Sequence, residues 1–250
     1  MVSRKTLLAS VAVAAATLAA TQTAYASDWY VNVAGGGNWL KDDSFAAETN
    51  GASTTFAFEN DTNIGFVLSA AVGMNLDKVM PGLRVEGEIG YRENDVNASW
   101  RSETPDTTPT TPSTTPTSPP DTSSVGDLGV DGGTARYQHN SFSIMANVWY
   151  DFQVAGLKPY VGGGIGWADV EVDGVYQGKT IEQSFSESGF AWQLGGGLHL
   201  PIDEKMKLGI GYRYFSGPDV TIPASSEINS LSGSVDTETH AVTVGLTVGL

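Results

Sequence analysis

Apolar and charged residues alternate along residues 83–92, which read LRVEGEIGYR. Successive side chains of a β-strand point to opposite faces, so this segment has one apolar face and one face with both signs of charge. The charged face holds Arg84, Glu86, Glu88 and Arg92. A strand of a soluble protein alternates in the same way when its charges face water. What distinguishes this chain is that the pattern recurs along most of its length.

The alternation predicts eight strands, each near the roughly 9 to 11 residues that a tilted strand needs to cross a bilayer. No apolar run approaches the roughly 20 residues of a transmembrane helix. The predicted strands cover residues 29–36, 63–75, 83–92, 141–152, 159–170, 189–200, 207–215 and 239–250.

The connections between the predicted strands alternate in length. The short connections are 75–82, 153–158 and 201–206, and the long ones are 37–62, 93–138, 171–188 and 216–238. In an up-and-down barrel this order places every long connection at one end, as in transmembrane barrels with short periplasmic turns and long extracellular loops. The sequence therefore predicts an all-β fold, an eight-stranded antiparallel up-and-down transmembrane β-barrel with both termini at the periplasmic end.

A soluble eight-stranded barrel, with its apolar face turned inward around a ligand, is the main alternative. Two features favour the membrane barrel. Aromatic residues lie near both ends of the apolar face, and the last predicted strand stops on the apolar residue Leu250.

Residues 1–26 have the composition of a signal peptide. Arg4 and Lys5 are basic, residues 7–20 are apolar, and Ala24 and Ala26 form a small-residue cleavage site. We therefore expect cleavage after Ala26, export through the inner membrane, and one mature barrel domain over residues 27–250.

Composition and charge exclude several kinds of protein. Cysteine is absent, which excludes a disulfide framework and thiolate metal sites. The formal net charge is -15, and removal of residues 1–26 with their two basic residues makes it -17. The four long connections hold 20 of the 28 acidic residues and four basic ones, which disfavours nucleic-acid and heparin-like partners. This charge fits solvation beside anionic lipopolysaccharide, bridging by divalent cations, or a cationic partner.

Charged side chains recur on the predicted inward face of the strands. They are Arg84, Glu86, Glu88, Arg92, Asp151, His199 and Arg213. These residues fit either an ion path or a structural network of paired charges. An eight-stranded barrel is only just wide enough for its own side chains, and buried ions must be paired, so the pattern favours the structural network. His199 fits an interior histidine better than a metal ligand.

Residues 104–124 consist only of Thr, Pro, Ser and Asp. A segment of this composition has nothing to bury, so we expect it to be disordered and extended in the second external loop. An antigenic or adhesive stalk and a tolerated low-complexity insertion both fit this composition.

Five segments carry a resemblance to a known family. The segments LRVEGEIGYR, MANVWYDF, KPYVGGGIGWADV, AWQLGGGLHL and LGIGYRYF resemble the proteobacterial outer-membrane β-barrel family, a porin family that includes the opacity proteins, small surface antigens and the barrel of outer membrane protein A. The resemblance implies a Gram-negative bacterial outer-membrane protein that contacts lipids and lipopolysaccharide. It also implies that the barrel-assembly machinery inserts the protein and that its external loops meet a host or cell-surface partner.

The same resemblance assigns an assembly signal to the last strand. The residues that keep the alternation there are Val244, Leu246, Val248 and Leu250. The last residue in the family is usually phenylalanine, so Leu250 departs from the pattern.

Two weaker motifs bear on possible chemistry. Residues 127–132 match a calcium loop poorly. His139 and Ser141 are similar to the histidine and serine pair of outer-membrane lipid A deacylases, but both share the inward face and no third residue orients the histidine. We therefore expect no enzyme, no cofactor and no metal site.

Together, these patterns predict an outer-membrane surface protein with a structural, adhesive or antigenic role and no wide pore. A narrow porin-like channel is the first alternative, and a lipid A-modifying barrel enzyme is the second.

Overall fold

The structure is a computed structural model that describes residues 28–41, 55–62, 64–103, 133–154, 157–176, 179–222 and 233–250. The expected signal peptide 1–26, the Thr/Pro-rich segment 104–124 and the calcium-loop-like residues 127–132 lie outside the described residues. The strands are β1 (Trp29–Leu40), β2 (Thr55–Thr62), β3 (Gly65–Asn75), β4 (Leu83–Glu103), β5 (Gly133–Asp151), β6 (Lys158–Tyr176), β7 (Lys179–Pro201), β8 (Met206–Ser216), β9 (Val220–Ile222), β10 (Gly233–Val235) and β11 (Glu238–Gly249). Among the described residues there is no apolar helix of membrane-spanning length.

The strands close into an antiparallel barrel. The order around the wall is β1, β3, β4, β5, β6, β7, β8 and β11, and β11 pairs again with β1. Since β2 pairs with β4 beyond the end of β3, these two strands share one position in the wall. The predicted eight-stranded antiparallel barrel is therefore confirmed.

The strands are staggered around the barrel. Tyr30 on β1 aligns with Gly73 on β3. When aligned residues are followed once around the wall, the path returns to β1 at Leu40, ten residues beyond its start at Tyr30. In a closed barrel such a stagger is linked to a strand tilt of about 35–45°.

The outer surface of the wall is apolar and the inner surface is polar. Exposed side chains on the outside are Val33, Leu68, Val72, Ile144, Val148, Val161, Ile165, Leu194, Ile210, Val244 and Leu246. Residues of the opposite parity face inward and are buried or half-buried, and the buried ones include the charged side chains of β4. This polarity excludes the soluble-barrel alternative, whose apolar face points inward.

Outward aromatic residues mark the height of the apolar band. Trp29 lies at the end of the barrel that carries the short turns, the start of β1 and the end of β11. We call this end the short-turn end. Trp39 lies ten residues further along the same strand. With a rise of about 3.3 Å per residue and a tilt of about 40°, the two rings are separated by about 25 Å along the barrel axis. This distance equals the apolar band of about 25 Å that is typical of outer-membrane barrels.

Four strands continue well beyond this band. β4 contains 21 residues although the alternation predicted only 83–92, and β6 and β7 reach Tyr176 and Lys179. The prediction that 171–188 is a long loop was wrong, since Glu171 pairs with Ser186 in a continuing ladder. Above the apolar band the outward residues of β6, such as Glu171 and Asp173, are polar, while the inward Val170 and Val172 are buried. The apolar-outward pattern therefore ends there although backbone pairing continues.

The connection between β8 and β11 packs against β6 and β7 at the end of the barrel opposite the short turns. β9 and β10 form a short hairpin within it. Val220 of β9 is buried and packs against Val170 and Val172 of β6, with Phe185 of β7 alongside. We call these four residues the mouth cluster.

Candidate functional site

Glu86 is the centre of a hydrogen-bonded group near the short-turn end. Tyr30 Oη donates to Glu86 Oε1 at 2.7 Å, and Trp149 Nε1 donates to Oε2 at 2.8 Å. Arg84 donates from Nη1 to Glu86 Oε1 at 2.8 Å and from Nε to Asp151 Oδ1 at 2.9 Å. Both oxygens of Glu86 thus accept hydrogen bonds, and the Arg84 guanidinium contacts two carboxylates.

Glu88 lies further from the short-turn end and is bound from two sides. Arg213 Nη1 donates to Glu88 Oε2. Gln193 Nε2 donates to Glu88 Oε1 at 3.1 Å and to Asn147 Oδ1 at 2.7 Å. Since Glu88 is on β4 and Arg213 on β8, four places apart among the eight strand positions, this ion pair crosses the lumen.

Arg92 is held differently from the other two arginines. Its Nη1 donates to Ser143 Oγ at 3.1 Å, and its guanidinium carbon lies 3.8 Å from the centre of the Phe215 ring. Within the described part of the chain, no carboxylate lies within ion-pair distance of Arg92. A hydroxyl and an aromatic face therefore hold this buried cation.

His199 packs as an interior aromatic residue. Its ring stacks on Tyr160 at a centroid distance of 4.5 Å, and its Nδ1 lies 3.9 Å from Asp151 Oδ1, which is too far for a hydrogen bond. In the described residues no group of three or more metal-ligating side chains is arranged around an ion.

Aromatic side chains fill the space between the ion pairs. The Arg213 guanidinium lies 5.2 Å from the Trp149 ring centre, and that of Arg84 lies 5.5 Å from Tyr160, both within the range of cation–π attraction. Glycines opposite these rings make room for them. A Cβ at Gly73 would lie 2.3 Å from Tyr30 Cζ, and one at Gly162 would lie 2.7 Å from Trp149 Cε3.

An apolar layer and a small cavity complete the lumen. The layer consists of Met145, Ala168, Ala191 and Phe215, all of them buried. A cavity of about 20 Å³ lies closer to the short-turn end, and residues from seven strands of the wall line it. Its lining includes Asn32, Arg84, Glu86, Trp149, Tyr160, His199 and Arg213. This volume holds about one water molecule, which is far less than an ion path needs.

All seven charged residues assigned to the lumen by alternation point inward, and none of their side chains exposes more than 12% of its surface. The structure brings six of them into two ion-paired groups, and Arg92 belongs to neither group. Arg84, Glu86, Asp151 and His199 are near the short-turn end, and Glu88 with Arg213 lies above them. Trp149 connects the groups, because its N–H binds Glu86 and its ring lies under Arg213.

Several uncharged members of the network were missing from the sequence-based set. They are Tyr30, Asn147, Trp149, Tyr160 and Gln193. The signal that identifies them is their position, since each shares the inward face with the charged residues of its strand. A search restricted to charged residue types overlooks them.

His139 and Ser141 face the lumen and are completely buried, at 0% and 1% exposure. Neither side chain has a hydrogen-bond partner among the residues that the structure describes, and the histidine does not bind the serine hydroxyl. A nucleophilic serine needs a base within hydrogen-bond reach, and this geometry does not provide one.

The expected assembly-signal residues lie on β11. Val244 and Leu246 are exposed on the outer surface, and Val248 and Leu250 are half-buried. β11 pairs with β1 over its whole length, and Leu250 N donates to Trp29 O at 3.0 Å. Recognition of this strand by the assembly machinery stays a prediction.

Comparison with solved structures finds similar barrels. Neisserial surface protein A is 15% identical, with 91% of this chain and 100% of that chain covered and a TM-score of 0.49. The outer membrane protease OmpT from Escherichia coli is 7% identical, with 93% and 100% covered and a TM-score of 0.50. Ail, the attachment invasion locus protein of Yersinia pestis, is 12% identical, with 89% and 99% covered and a TM-score of 0.37. At these identities the likeness concerns the fold alone.

Sequence comparison gives the family directly. No curated protein is significantly similar to the chain in sequence. A family model, described as outer membrane protein beta-barrel domain, matches residues 6–248. Since the match spans nearly the whole chain and the strands close into such a barrel, the chain belongs to the outer membrane protein β-barrel family.

Proposed function

We propose that this protein is exported to the outer membrane, where it acts as a surface protein with a structural, adhesive or antigenic role and forms no wide pore. The observation that carries the proposal is the ion pair of Glu88 and Arg213, which crosses the lumen. The aromatic packing beside this ion pair and the apolar layer beyond it also support the proposal.

The filled lumen argues against bulk passage of solutes. An eight-stranded wall leaves an interior just wide enough for side chains. Here Tyr30, Trp149, Tyr160 and Phe215 project into that interior together with three arginines. The mouth cluster adds apolar packing toward the end opposite the short turns.

The wall beyond the apolar band supports a role at the cell surface. Residues 93–103 of β4 add about 35 Å of strand at about 3.3 Å per residue. Strands β5, β6 and β7 accompany β4 over much of this length. Such a sheet extends away from the membrane, and Asp95, Asp173 and Glu187 on it are exposed to solvent. Its acidic residues fit contact with divalent cations, with lipopolysaccharide through such cations, or with a cationic partner.

A narrow channel is the second candidate. The charged lining of the lumen favours it. For ions to pass, the bond between Glu88 and Arg213 has to break. Conduction is then expected to rise when that pair is removed.

An enzymatic role is not part of the proposal. The buried His139 and Ser141 do not bind each other and are separated from the lipid-facing surface by the barrel wall. If expression of the protein changed the mass of lipid A, this part of the interpretation would be wrong.

Two measurements test the proposed function. Because the chain contains no cysteine, single cysteines report location without background. On intact cells a membrane-impermeant maleimide is expected to label Glu187→Cys above the band and to spare Lys205→Cys in a short turn. In planar bilayers the purified barrel is expected to show no porin-like conductance steps. Regular steps in the wild type would favour the channel instead.

Adhesion is tested with the external strands themselves. Cells that carry the wild type are compared with cells that carry a barrel in which a short turn replaces residues 98–135, on surfaces coated with a cationic polymer such as polylysine. Loss of retention in the shortened variant, with equal amounts of folded barrel, supports an adhesive role. Equal retention would leave the structural or antigenic role.

A further inference from the structure

A set of buried polar atoms in the lumen has no hydrogen-bond partner among the described residues. Five of these atoms lie together in the half nearer the mouth cluster: Asn38 Oδ1, Arg92 Nε, both ring nitrogens of His139, and Ser141 Oγ. A sixth, Nδ1 of His199, lies near the short-turn end. Each of the five residues is at most 6% exposed, so bulk solvent does not reach these atoms.

The four residues of the upper set come together through strand pairing. Arg92 and Ser141 are directly opposite each other on β4 and β5. On the same two strands Asn94 is opposite His139, and the Asn94 Nδ2 amide donates to the Asn38 carbonyl oxygen at 2.9 Å. The unpartnered atoms therefore converge from β1, β4 and β5 on one region of the lumen, which we call the upper polar pocket.

The chemistry of these atoms limits what binds there. The Arg92 Nε–H only donates, the Asn38 Oδ1 only accepts, and the Ser141 hydroxyl does both. A neutral His139 ring donates from one nitrogen and accepts at the other. An anion satisfies the donors but not Asn38, and a cation is repelled by Arg92. A small molecule that both donates and accepts satisfies all of them, and water is the smallest one.

The region near His199 supplies independent evidence of space. The cavity of about 20 Å³ is lined by His199, Tyr160 and Asn32 among others. A polar cavity of about 10–15 Å³ or more, with two to four polar partners, is enough to hold one water molecule. His199 itself lines this cavity, and its ring nitrogen Nδ1 has no hydrogen-bond partner among the described residues.

We propose that the lumen binds water at two fixed sites, one molecule in the cavity beside His199 and a small cluster in the upper polar pocket of Asn38, Arg92, His139 and Ser141. These waters complete the hydrogen bonds of the lumen side chains. The remaining unpartnered amide atoms, on Asn147 and Gln193, belong to two side chains that already bind each other. The apolar layer of Met145, Ala168, Ala191 and Phe215 contributes no polar atom to either site.

Nuclear magnetic resonance tests both sites directly. The chain has three histidines and five methionines, so ring-labelled histidine and methyl-labelled methionine give few and assignable signals. In lipid nanodiscs the ring protons of His139 and His199 are expected to show rotating-frame cross-peaks with long-lived water. The Met145 methyl group, equally buried in the apolar layer, is the control and is expected to show none. Absence of cross-peaks at both histidines in a folded sample would overturn the proposal.

A hydroxyl proton that exchanges with solvent imitates bound water, so the Ser141→Ala variant is recorded as well. Cross-peaks at His139 that persist in this variant support bound water. If they vanish while the His199 peaks remain, the upper site is refuted and the lower one stands.

A stability measurement gives a second test, because a dry pocket and a hydrated pocket predict shifts of the urea midpoint in opposite directions. If the upper pocket is dry, His139→Leu removes two unsatisfied nitrogens and is expected to raise the urea midpoint. If the pocket is hydrated, the same change expels water, leaves Arg92 Nε and Ser141 Oγ unpaired, and lowers the midpoint. We expect a lower midpoint for His139→Leu and a smaller loss for His139→Gln, which keeps a donor and an acceptor. A higher midpoint for the leucine variant would contradict the proposal, whatever the conductance of the barrel.

Discussion

Arg213 reaches across the lumen to Glu88 on the opposite side of the barrel, 125 residues away in the chain. The Glu88 side chain is 1% exposed and that of Arg213 is 12% exposed, so solvent does not solvate the pair from either end. The contact joins β4 to β8, which share no backbone hydrogen bonds. It therefore acts as a brace between two halves of the wall as well as an obstruction in the lumen.

Removal of one member of this pair should be costly. Arg213→Ala leaves the Glu88 carboxylate buried without its cation, and we expect a loss of about 3–5 kcal/mol in the free energy of unfolding. Urea unfolding in lipid vesicles measures it. The control is the double variant Arg213→Met with Glu88→Gln, which removes both charges and should recover most of the loss. An unchanged stability of Arg213→Ala, combined with altered ion selectivity, would favour the channel.

The polarity of the wall predicts unequal effects of two adjacent substitutions. Leu68 points outward and is 50% exposed, so Leu68→Arg places a charge in the apolar band and should cost about 2–4 kcal/mol. Ser69 faces inward on the same strand, and Ser69→Asn should be milder. Refolding into vesicles compares them. If the asparagine variant were the more damaging one, the assignment of the lipid-facing surface would be wrong.

The turn between β3 and β4 depends on one glycine. Gly82 has a φ of 87°, and a Cβ there would lie 2.3 Å from the Asp151 carbonyl oxygen. Gly82→Ala should therefore destabilise the barrel by about 1–3 kcal/mol. Gly87 is the matched control, since a Cβ there meets nothing within 4 Å. Thermal unfolding in detergent should separate the two, and equal midpoints would show that the turn relaxes at no cost.

Deletion of residues 104–124 should leave the barrel intact. The ladder of β4 and β5 reaches the pair of Trp100 and Gly133, so the two strands are already aligned where this segment connects them. A Thr/Pro/Ser/Asp segment is also expected to add few stabilising contacts. Heat-modifiable migration on electrophoresis reports the folded barrel. Failure of the deleted variant to assemble would mean that the segment contributes to folding.

The faces of the strands were predictable from the sequence because side chains of a strand alternate with a period of two. This rule assigned Arg84, Glu88, Asp151 and Arg213 to the lumen, and all of them are there. The same rule could not find the upper part of β6, because there the apolar Val170 and Val172 face inward and polar residues face outward, the reverse of the pattern within the apolar band.

Partners across the lumen were not predictable from the pattern. Whether Glu88 meets Arg213 or Arg92 depends on the stagger of the strands, which shifts the register by ten residues around the barrel. Alternation predicts the face of the strand on which a residue lies, but not the position of that residue along the barrel axis. The places of Tyr30, Trp149 and Tyr160 within the network depend on that axial position for the same reason.

The seam between β1 and β11 determines the order in which the barrel can form. Every other neighbouring pair in the wall is linked by a hairpin or a connection, whereas the seam joins Asn32 to Thr247, 215 residues apart. The entropic cost of closing a loop grows with its length, and contacts so distant in sequence slow folding. The hairpins should therefore assemble first, as an open sheet with β1 and β11 as its two edges. Those edges can pair with another chain until the ring closes, so closure both completes the barrel and ends its exposure to aggregation.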